Sequence, residues 1–318
     1  MSKTIGRQIE FGYADEASRG SAESSADFWQ EWGEVNPNEQ VEHAIREQAK
    51  GLLADSDDAE LQKQFAEIDV TTPITPESAM HFLYALLGSI STTSPESGVE
   101  EHTITNLEDV KKPSYTLFVD DKGGGVDIAF PLSVLNELVI SYNLGEFASM
   151  AANWICRKGD DTASVSPSHT DMNRFSQKHL TFKIGGSAVK IKSLELTISN
   201  NVEHDDVLGS VDPEDFLATQ LSIEGSIELL YQDRTQVDNL LDDNKKKFEI
   251  LMQNTDVTIG TTENPGVDIT LPKCSFTEVG KELSLNDLNM QTVNFKAHYD
   301  DSTSEAINAV VTNTVASL

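Results

Sequence analysis

The chain has 318 residues, with 23 Lys and Arg against 53 Asp and Glu, a formal net charge of −30. Such a surface repels nucleic acid and anionic membranes, which argues against a protein that binds either one; the charge would also serve solubility or a high-salt habitat. No apolar run approaches the roughly 20 residues that span a bilayer, and the N-terminus lacks a signal-peptide core, so we expect synthesis in a cytoplasm.

Turns and one clear helix are predicted in the first half of the chain. Residues 55–58 favour a solvated acidic turn over a divalent-cation site, and residues 75–87 form a helix with a Thr cap, an early Pro and Gly88 at its end. Residues 89–101 are predicted to be a long loop. Residues 120–127 are predicted to be a glycine-rich hairpin turn, because they lack the EF-hand and P-loop patterns.

Alternation with a period of two dominates the second half. Leu194, Leu196 and Ile198 share one face of a predicted strand, while Glu195 lies on the other, and residues 221–229 and 291–299 repeat the scheme. One buried and one wet face is typical of antiparallel sheets. A shorter helix is predicted at residues 233–242, and the polar segment 160–177 is the best domain boundary.

An internal repeat organises the prediction. Residues 125–131 (GVDIAFP) recur as residues 266–272 (GVDITLP), and the same offset of 141 brings Trp154 onto Phe295. Earlier in the chain an acidic-turn match with an offset of 155 brings Asp69 onto Glu224. We therefore predict a mainly β protein with two tandem β-sandwich domains, residues 1–165 and 170–318, each with a short flanking helix.

Chemical motifs are scarce. The seven histidines have no metal-ligand spacing, GxSxG and HExxH patterns are missing, and Cys156 and Cys274 are predicted to be buried free thiols. We expect no enzyme activity, no cofactor and no metal. The one basic run, residues 245–247, favours a helix C-terminus or a neighbour's acidic groups over nucleic acid.

The segments quoted so far, together with others in the same order, resemble the major tail tube proteins of long non-contractile (siphovirus-type) phage tails. The opening, residues 11–22, is similar to that family's G-x-x-x-E-x-x-R-G-x-A pattern through Gly12, Glu16, Arg19, Gly20 and Ala22, and Trp29 and Trp32 follow it. Further similar segments are residues 54–59, 86–89, 207–213, 254–260 and 312–317. Their order from near residue 5 to the C-terminus is the specific part of the resemblance.

The resemblance implies a fold and a function. In that family each tube domain is a β-sandwich flanked by a helix, the inner sheets join into a β-barrel in a ring, and rings stack into a tube that encloses a tape measure protein and conducts viral DNA into the host. The implied partners are the chain itself (three two-domain chains per ring, or six chains), the tape measure protein, the tail terminator and the baseplate or tip proteins. DNA would pass without specific binding and no membrane is involved. The implied location is the virion tail, assembled in the host cytoplasm.

Within such a tube, the strand alternation predicts that four carboxylates face the lumen or its rim: Asp69, Glu195, Glu224 and Glu228. Their apolar neighbours Leu194, Ile223 and Ile227 would then pack inside the sandwich; the alternative is an outer surface on which the acids serve solubility. Residues 1–26 and 89–101 have few core residues and are predicted to become ordered only against a neighbouring ring. The predicted inter-ring contacts are Ser89, Glu96, Glu101, Phe11 and Trp29.

Two other functional classes are compatible with parts of the sequence. A β-sandwich adhesive or binding module on a virion or cell surface would explain the strands and the acidity, but not the full-length resemblance. An acidic hydrolase would need a concave site of perturbed carboxylates, which the sequence does not single out.

Overall fold

The computed structural model describes residues 5–48, 51, 53, 55–123, 126–161, 165–169, 172–282, 285 and 288–316. The protein is mainly β, as predicted. The first half contains helix α1 (Pro76–Leu87) and ten strands: β1 (Ile9–Asp15), β2 (Phe28–Gln30), β3 (Glu34–Arg46), β4 (Asp58–Pro73), β5 (Gly88–Glu96), β6 (Val99–Asn106), β7 (Tyr115–Asp121), β8 (Val126–Asn143), β9 (Ser149–Cys156) and β10 (Asp160–Asp161).

The second half contains helix α2 (Thr235–Leu241), and short 3-10 turns precede β1 and β11 at Gly6–Gln8 and Gln177–His179. Its strands are β11 (Leu180–Ile184), β12 (Ser187–Val189), β13 (Ile191–Ser199), β14 (Val202–Asp205), β15 (Asp215–Ala218), β16 (Ser222–Leu230), β17 (Lys246–Gln253), β18 (Gly266–Glu282), β19 (Met290–His298) and β20 (Asn308–Asn313).

Helix α1 begins and ends where the sequence predicts. The Thr75 hydroxyl accepts the Ser78 backbone N–H at 3.1 Å, and the Ser78 hydroxyl accepts the Thr75 N–H at 3.1 Å, which satisfies two free donors of the first turn. Pro76 opens the first turn, where a missing N–H costs nothing. Gly88 ends the helix with φ of 92°, a left-handed conformation that glycine adopts without strain.

Eight antiparallel strands form one continuous layer, which we call the long sheet. Their order is β3, β4, β9, β8, β13, β16, β19, β18. Only the C-terminal parts of β8 and β18 belong to it, because each of these long strands bends into a second layer. Strands β3, β4, β9 and β8 come from the first half of the chain and the other four from the second half.

The second layer lies on the apolar side of the long sheet. The N-terminal part of β8 pairs with β7, which continues through β1 to β2. The N-terminal part of β18 pairs with β17, which continues through β11 to β12, and on its other side with β20, β6 and β5. One continuous apolar core fills the sandwich and includes Trp154 from the first half and Phe295 from the second.

The same strand pairing occurs in both halves with matching register. Asp127 lies opposite Asp120 in the first half, and Asp268 lies opposite Leu251 in the second. Leu135 pairs with Trp154, and Phe276 pairs with Phe295; a bulge follows immediately in both ladders. Ladder positions thus agree with the predicted equivalence of Asp127 with Asp268 and Trp154 with Phe295. The domain limits 1–165 and 170–318 stay a prediction.

Several predicted turns and loops can be compared with the structure. Asp121 pairs with Val126, which confirms the hairpin between β7 and β8; Gly124 and Gly125 at its tip lie outside the described residues. The long loop predicted at residues 89–101 is wrong, because these residues belong to the β5–β6 hairpin, whose strand β6 pairs with β20 from the end of the chain. Cys156 and Cys274 are buried free thiols, as predicted.

Candidate functional site

The face of the long sheet that points away from the core is strongly acidic. Strand alternation buries Leu194, Ile223 and Ile227 and leaves carboxylates on the opposite side. This polar face carries Glu67, Asp69, Glu137, Glu195, Glu224, Glu228 and Glu278. It also carries Lys296, whose Nζ lies 2.6 Å from Glu224 Oε1, and, two residues further along the same strands, Lys273 and His298, which lie opposite each other. The face therefore combines a high density of negative charge with few groups that could bind a phosphate.

Amide side chains hold part of this face in place. The Asn153 amide donates to Asp69 Oδ1 at 2.8 Å, and Asn294, at the equivalent position of β19, donates to Glu278 Oε2 at 3.1 Å. Between the two halves the face forms a shallow depression of about 480 Å³, lined among others by Glu137, Glu195 and Glu224. The arrangement gives a fixed acidic wall shared by both halves.

The four carboxylates predicted to face a lumen all lie on this face. Asp69, Glu195 and Glu224 are exposed and Glu228 is half-buried. One equivalence needs correction: Asp69 pairs with Asn153 and Ser226 with Asn294, so Asp69 matches Ser226, and Glu67 matches Glu224. The acidic-turn match was two residues out of register, and a shift of two leaves every side chain on the same face.

The residues predicted to contact an adjoining ring fall into two groups. Ser89 and Glu101 lie half-buried in the β5–β6 hairpin, and the Glu96 carboxylate accepts the backbone N–H groups of Thr261, Thr262 and Glu263 at 2.7, 3.0 and 3.3 Å. These backbone hydrogen bonds, that of Thr262 foremost, hold the pKa of Glu96 below its ordinary value. Glu96 thus stabilises a loop of its own chain.

Phe11 and Trp29 have a different position from the one predicted. Phe11 is fully buried in the main core from β1, and Trp29 is 6% exposed in β2. The segment that the sequence describes as an arm with few core residues is a sandwich strand, since β1 pairs with β7 along its whole length. In the free chain neither side chain is exposed for a contact with an adjoining ring.

Arg19 of the opening motif joins the two halves, whereas Glu16 of the same motif binds groups of the first half. The Arg19 guanidinium donates to Asp215 Oδ1 at 2.7 Å and to the Phe216 carbonyl at 2.8 Å, both in the β14–β15 hairpin of the second half. These contacts with Arg19 help to keep the pKa of Asp215 low against its burial. The Glu16 carboxylate accepts the Leu132 N–H at 2.7 Å and the Gly20 N–H at 2.6 Å. The motif was visible in the sequence, but its partners nearly 200 residues away were not.

The long sheet ends at two open edges. Its middle is closed by the antiparallel ladder between β8 and β13, which joins the two halves. At its ends, β3 pairs with β4 alone and residues 275–282 of β18 pair with β19 alone, as far as the described residues extend. Open edges with free backbone groups are templates for pairing with another chain.

The described residues form neither a metal site nor a membrane-spanning helix. Among them, no three His, Cys, Asp or Glu side chains come together in a way that could hold a metal ion. Neither α1 nor α2 has the length and apolar character of a bilayer-spanning helix. The polar face and the two open edges are therefore the features to which we assign function.

Comparison with known proteins gives one family. A family model described as phage tail tube protein matches residues 6–297. No curated protein matches the chain. The matched region begins in the turn before β1 and ends in β19, so it includes the long sheet, both helices and both copies of the strand order.

Proposed function

We propose that this chain builds the tube of a long non-contractile tail. The chain belongs to the phage tail tube protein family, whose members are structural components of the virion tail and assemble into a tube. In this proposal the tube encloses the tape measure protein, meets the tail terminator and the baseplate or tip proteins at its ends, and conducts DNA into the host. Assembly takes place in the host cytoplasm. The observation that carries the proposal is a continuous eight-stranded sheet with one acidic face and two open edges.

We further propose that three chains close a ring. Each chain contributes two copies of one strand order, which supports two tandem tube domains with limits near 1–165 and 170–318. Three long sheets would give a barrel of roughly 24 strands, which at about 4.8 Å per strand and a tilt near 40° is roughly 40–50 Å across. That width leaves room for one DNA duplex, side chains and a layer of water. Six chains would give roughly twice that width.

In this ring the polar face lines the lumen. Asp69, Glu195, Glu224 and Glu228 then repel passing phosphates, whereas lysines would bind them and slow transit. Since the screening length is about 8 Å at physiological salt, only a dense lining acts across the bore. The seven carboxylates spread over both halves of the face support such a lining. The alternative is an outer surface, on which the same acids would serve solubility alone.

Charge reversal tests the lumen. A phage with Asp69→Lys and Glu224→Lys should assemble tails of normal length and eject its genome more slowly. The matched control is Glu108→Lys with Asp109→Lys, an equal charge change at exposed positions in the loop between β6 and β7, outside the long sheet. Equal ejection by both variants would contradict an acidic lumen. A wild-type chain that stays monomeric at high concentration and binds a glycan would instead favour an adhesive module.

A further inference from the structure

The seam between β8 and β13 shows how one half of the long sheet joins the next. There Glu137 lies opposite Ser199, and Ile140 lies opposite Leu196. When the two halves are matched by ladder position, β8 corresponds to β18. Glu137 lies opposite Asn153 and Glu278 lies opposite the equivalent Asn294, so Glu137 matches Glu278. In the same way β13, which pairs with β16, corresponds to β3, which pairs with β4, and Ser199 matches Gln40. The two open edges thus correspond, position by position, to the two sides of the internal seam.

We propose that residues 278–282 of β18 bind β3 of a second copy of this chain, antiparallel, with Gly280 opposite Asn38, and that a basic patch beside them binds the acidic arm of that copy. The inference rests on the proposed ring and specifies its contact. Gly280 is the equivalent of Val139, and Asn38 of Thr197, which lie opposite each other in the internal seam. Pro37 lacks an N–H, so this ladder loses at most one hydrogen bond.

Side chains at the open edges suit a contact that forms after folding. The internal seam places Ile140 against Leu196 on the core side. The equivalent positions of the open edges carry Lys281 and Pro37, with Glu39 two residues further along β3. Diagonal neighbours on one face of an antiparallel pair are about 7–8 Å apart, within reach of a Lys–Glu pair. Such a pair would replace the contacts that the two groups make in the free chain, where Glu39 accepts the Gly159 N–H at 2.9 Å and Lys281 lies over the Tyr231 ring. Charges and Pro also keep each edge from pairing with the wrong strand before assembly.

The arm is the outer part of the β3–β4 hairpin, residues 41–46 and 58–64. Strand β4 pairs with β9 only from Ala66 onward, so these residues form a two-stranded extension beyond the sheet. The arm carries exposed Glu42, Asp58 and Glu60, and Val41 and Ile45 are 55% and 63% exposed. In the proposed register β3 runs past Gln40 towards residues 273–276 of β18, which brings Glu42 to the basic patch.

The basic patch consists of Lys245, Lys273, Lys296 and His298. Lys273 lies opposite His298 in the β18–β19 ladder. Lys296 precedes His298 by two residues on the same face of β19, and Ser275, two residues after Lys273, lies 2.7 Å from His298 Nε2. Burial and the charges of the three lysines lower the pKa of His298, which favours its neutral form, so the lysines supply the positive charge. Two of the lysines have acidic partners in their own chain, Lys245 with Asp243 and Lys296 with Glu224. Lys273, beside the open edge of a chain of net charge −30, is therefore the group that we assign to the acidic arm.

The equivalent surface of the first half is already covered. Leu132, Val134 and Ile155 occupy the ladder positions of Lys273, Ser275 and Lys296, and they pack under Phe216 of the β14–β15 hairpin. That hairpin lies between β13 and β16, as the arm lies between β3 and β4. The covered surface is apolar where the covering hairpin belongs to the same chain, and basic where it would come from a second copy.

Disulfide trapping tests the register. Purified full-length chain with Asn38→Cys and Gly280→Cys is assembled into tubes and oxidised. A Cβ on Gly280 meets only Thr292 atoms at 4.0 Å, so the substitution fits. The two positions lie at opposite edges of an eight-stranded sheet, roughly 30 Å apart, so a bond within one chain is excluded. We expect covalent trimers as the largest product, and at least tenfold less product from the control Asn36→Cys with Gly280→Cys.

The outcomes separate the inference from the proposed function. Tubes that form with no disulfide, or with the control reacting as well as the test pair, would overturn the register and leave the tube intact. A wild-type chain that forms no tubes would overturn both.

A charge swap tests the arm. Lys273→Glu and Glu42→Lys should each reduce assembly several-fold, and the double variant should recover most of it. If assembly does not recover in the double variant although circular dichroism shows both single variants to be folded, the arm does not take part in the contact.

Discussion

The seam inside the chain and the open edges at its ends occupy equivalent places in two copies of one strand order, but their side chains differ. At the seam, Ile140 and Leu196 are buried, and the partners are tethered by their own chain. At the edges, Lys281 and Glu39 replace apolar residues, and in the proposed contact the partners belong to separate chains. The difference fits the proposed contact, because an apolar seam is buried during folding, whereas a charged edge stays soluble in the free chain.

The largest expected effect follows from opening the seam. Leu196→Ala removes a fully buried side chain and should lower the free energy of unfolding by about 3 kcal/mol. Val279→Ala, which is only partly buried at the open edge, should cost under about 1 kcal/mol in the free chain. Urea unfolding of both variants measures this difference. Equal losses would mean that the seam and the edge do not differ as described.

A smaller effect is expected at the contact that holds the β14–β15 hairpin. Arg19→Ala leaves Asp215, which is 6% exposed, without its guanidinium and should cost about 1–3 kcal/mol. Arg234→Ala removes an exposed i,i+4 pair with Asp238 and should cost about 0.5 kcal/mol or less. Thermal unfolding of the two variants compares them, and similar shifts in Tm would argue against a role of Arg19 in joining the halves.

The smallest effect on stability is expected at Asp120. This residue and Leu251 occupy equivalent positions in the two halves, opposite Asp127 and Asp268. Burial, aided by the hydrogen bond and charge of Asp127, raises the pKa of Asp120 to about 6. A raised carboxyl pKa destabilises the fold as pH rises from about 4 to about 6 and leaves a constant penalty above that range. Asp120→Asn should therefore stabilise the chain by about 1–2 kcal/mol at pH 8 and have little effect below pH 4.

The control for this titration is Asp301→Asn, which removes an exposed carboxylate. It should change stability little at either pH. A gain from Asp120→Asn that is the same at pH 4 and pH 8 would rule out the ionised carboxylate as its cause.

Local patterns in the sequence were enough for helix α1, the two-faced strands and the GVDI repeat. The offset of 141 is correct because β8 with β9 and β18 with β19 have the same lengths up to the same bulge. The offset of 155 failed because a match of acidic turns is not fixed by strand pairing. The alternation nevertheless located the acidic face, since an error of two residues preserves it.

Partners distant in sequence account for the remaining errors. Residues 89–101 have the Ser and Thr content of a loop, but they become a hairpin because β20, some 200 residues later, pairs with β6. Phe11 is in a segment with few apolar residues, and it is buried because β7 and β1 pair across about 100 residues. Neither pairing leaves a local signal, because β propensity depends on the neighbouring strand.

The central claim is that the acidic face of the long sheet lines a closed ring built by pairing β18 with β3 of the next chain. A cryo-electron microscopy reconstruction of the assembled tube tests it most directly. We predict three chains per ring, Gly280 opposite Asn38 at each contact, and Asp69, Glu195, Glu224 and Glu228 facing the bore. Six chains per ring, unpaired edges at β3 and β18, or an outward acidic face around a lysine-lined bore would contradict this account.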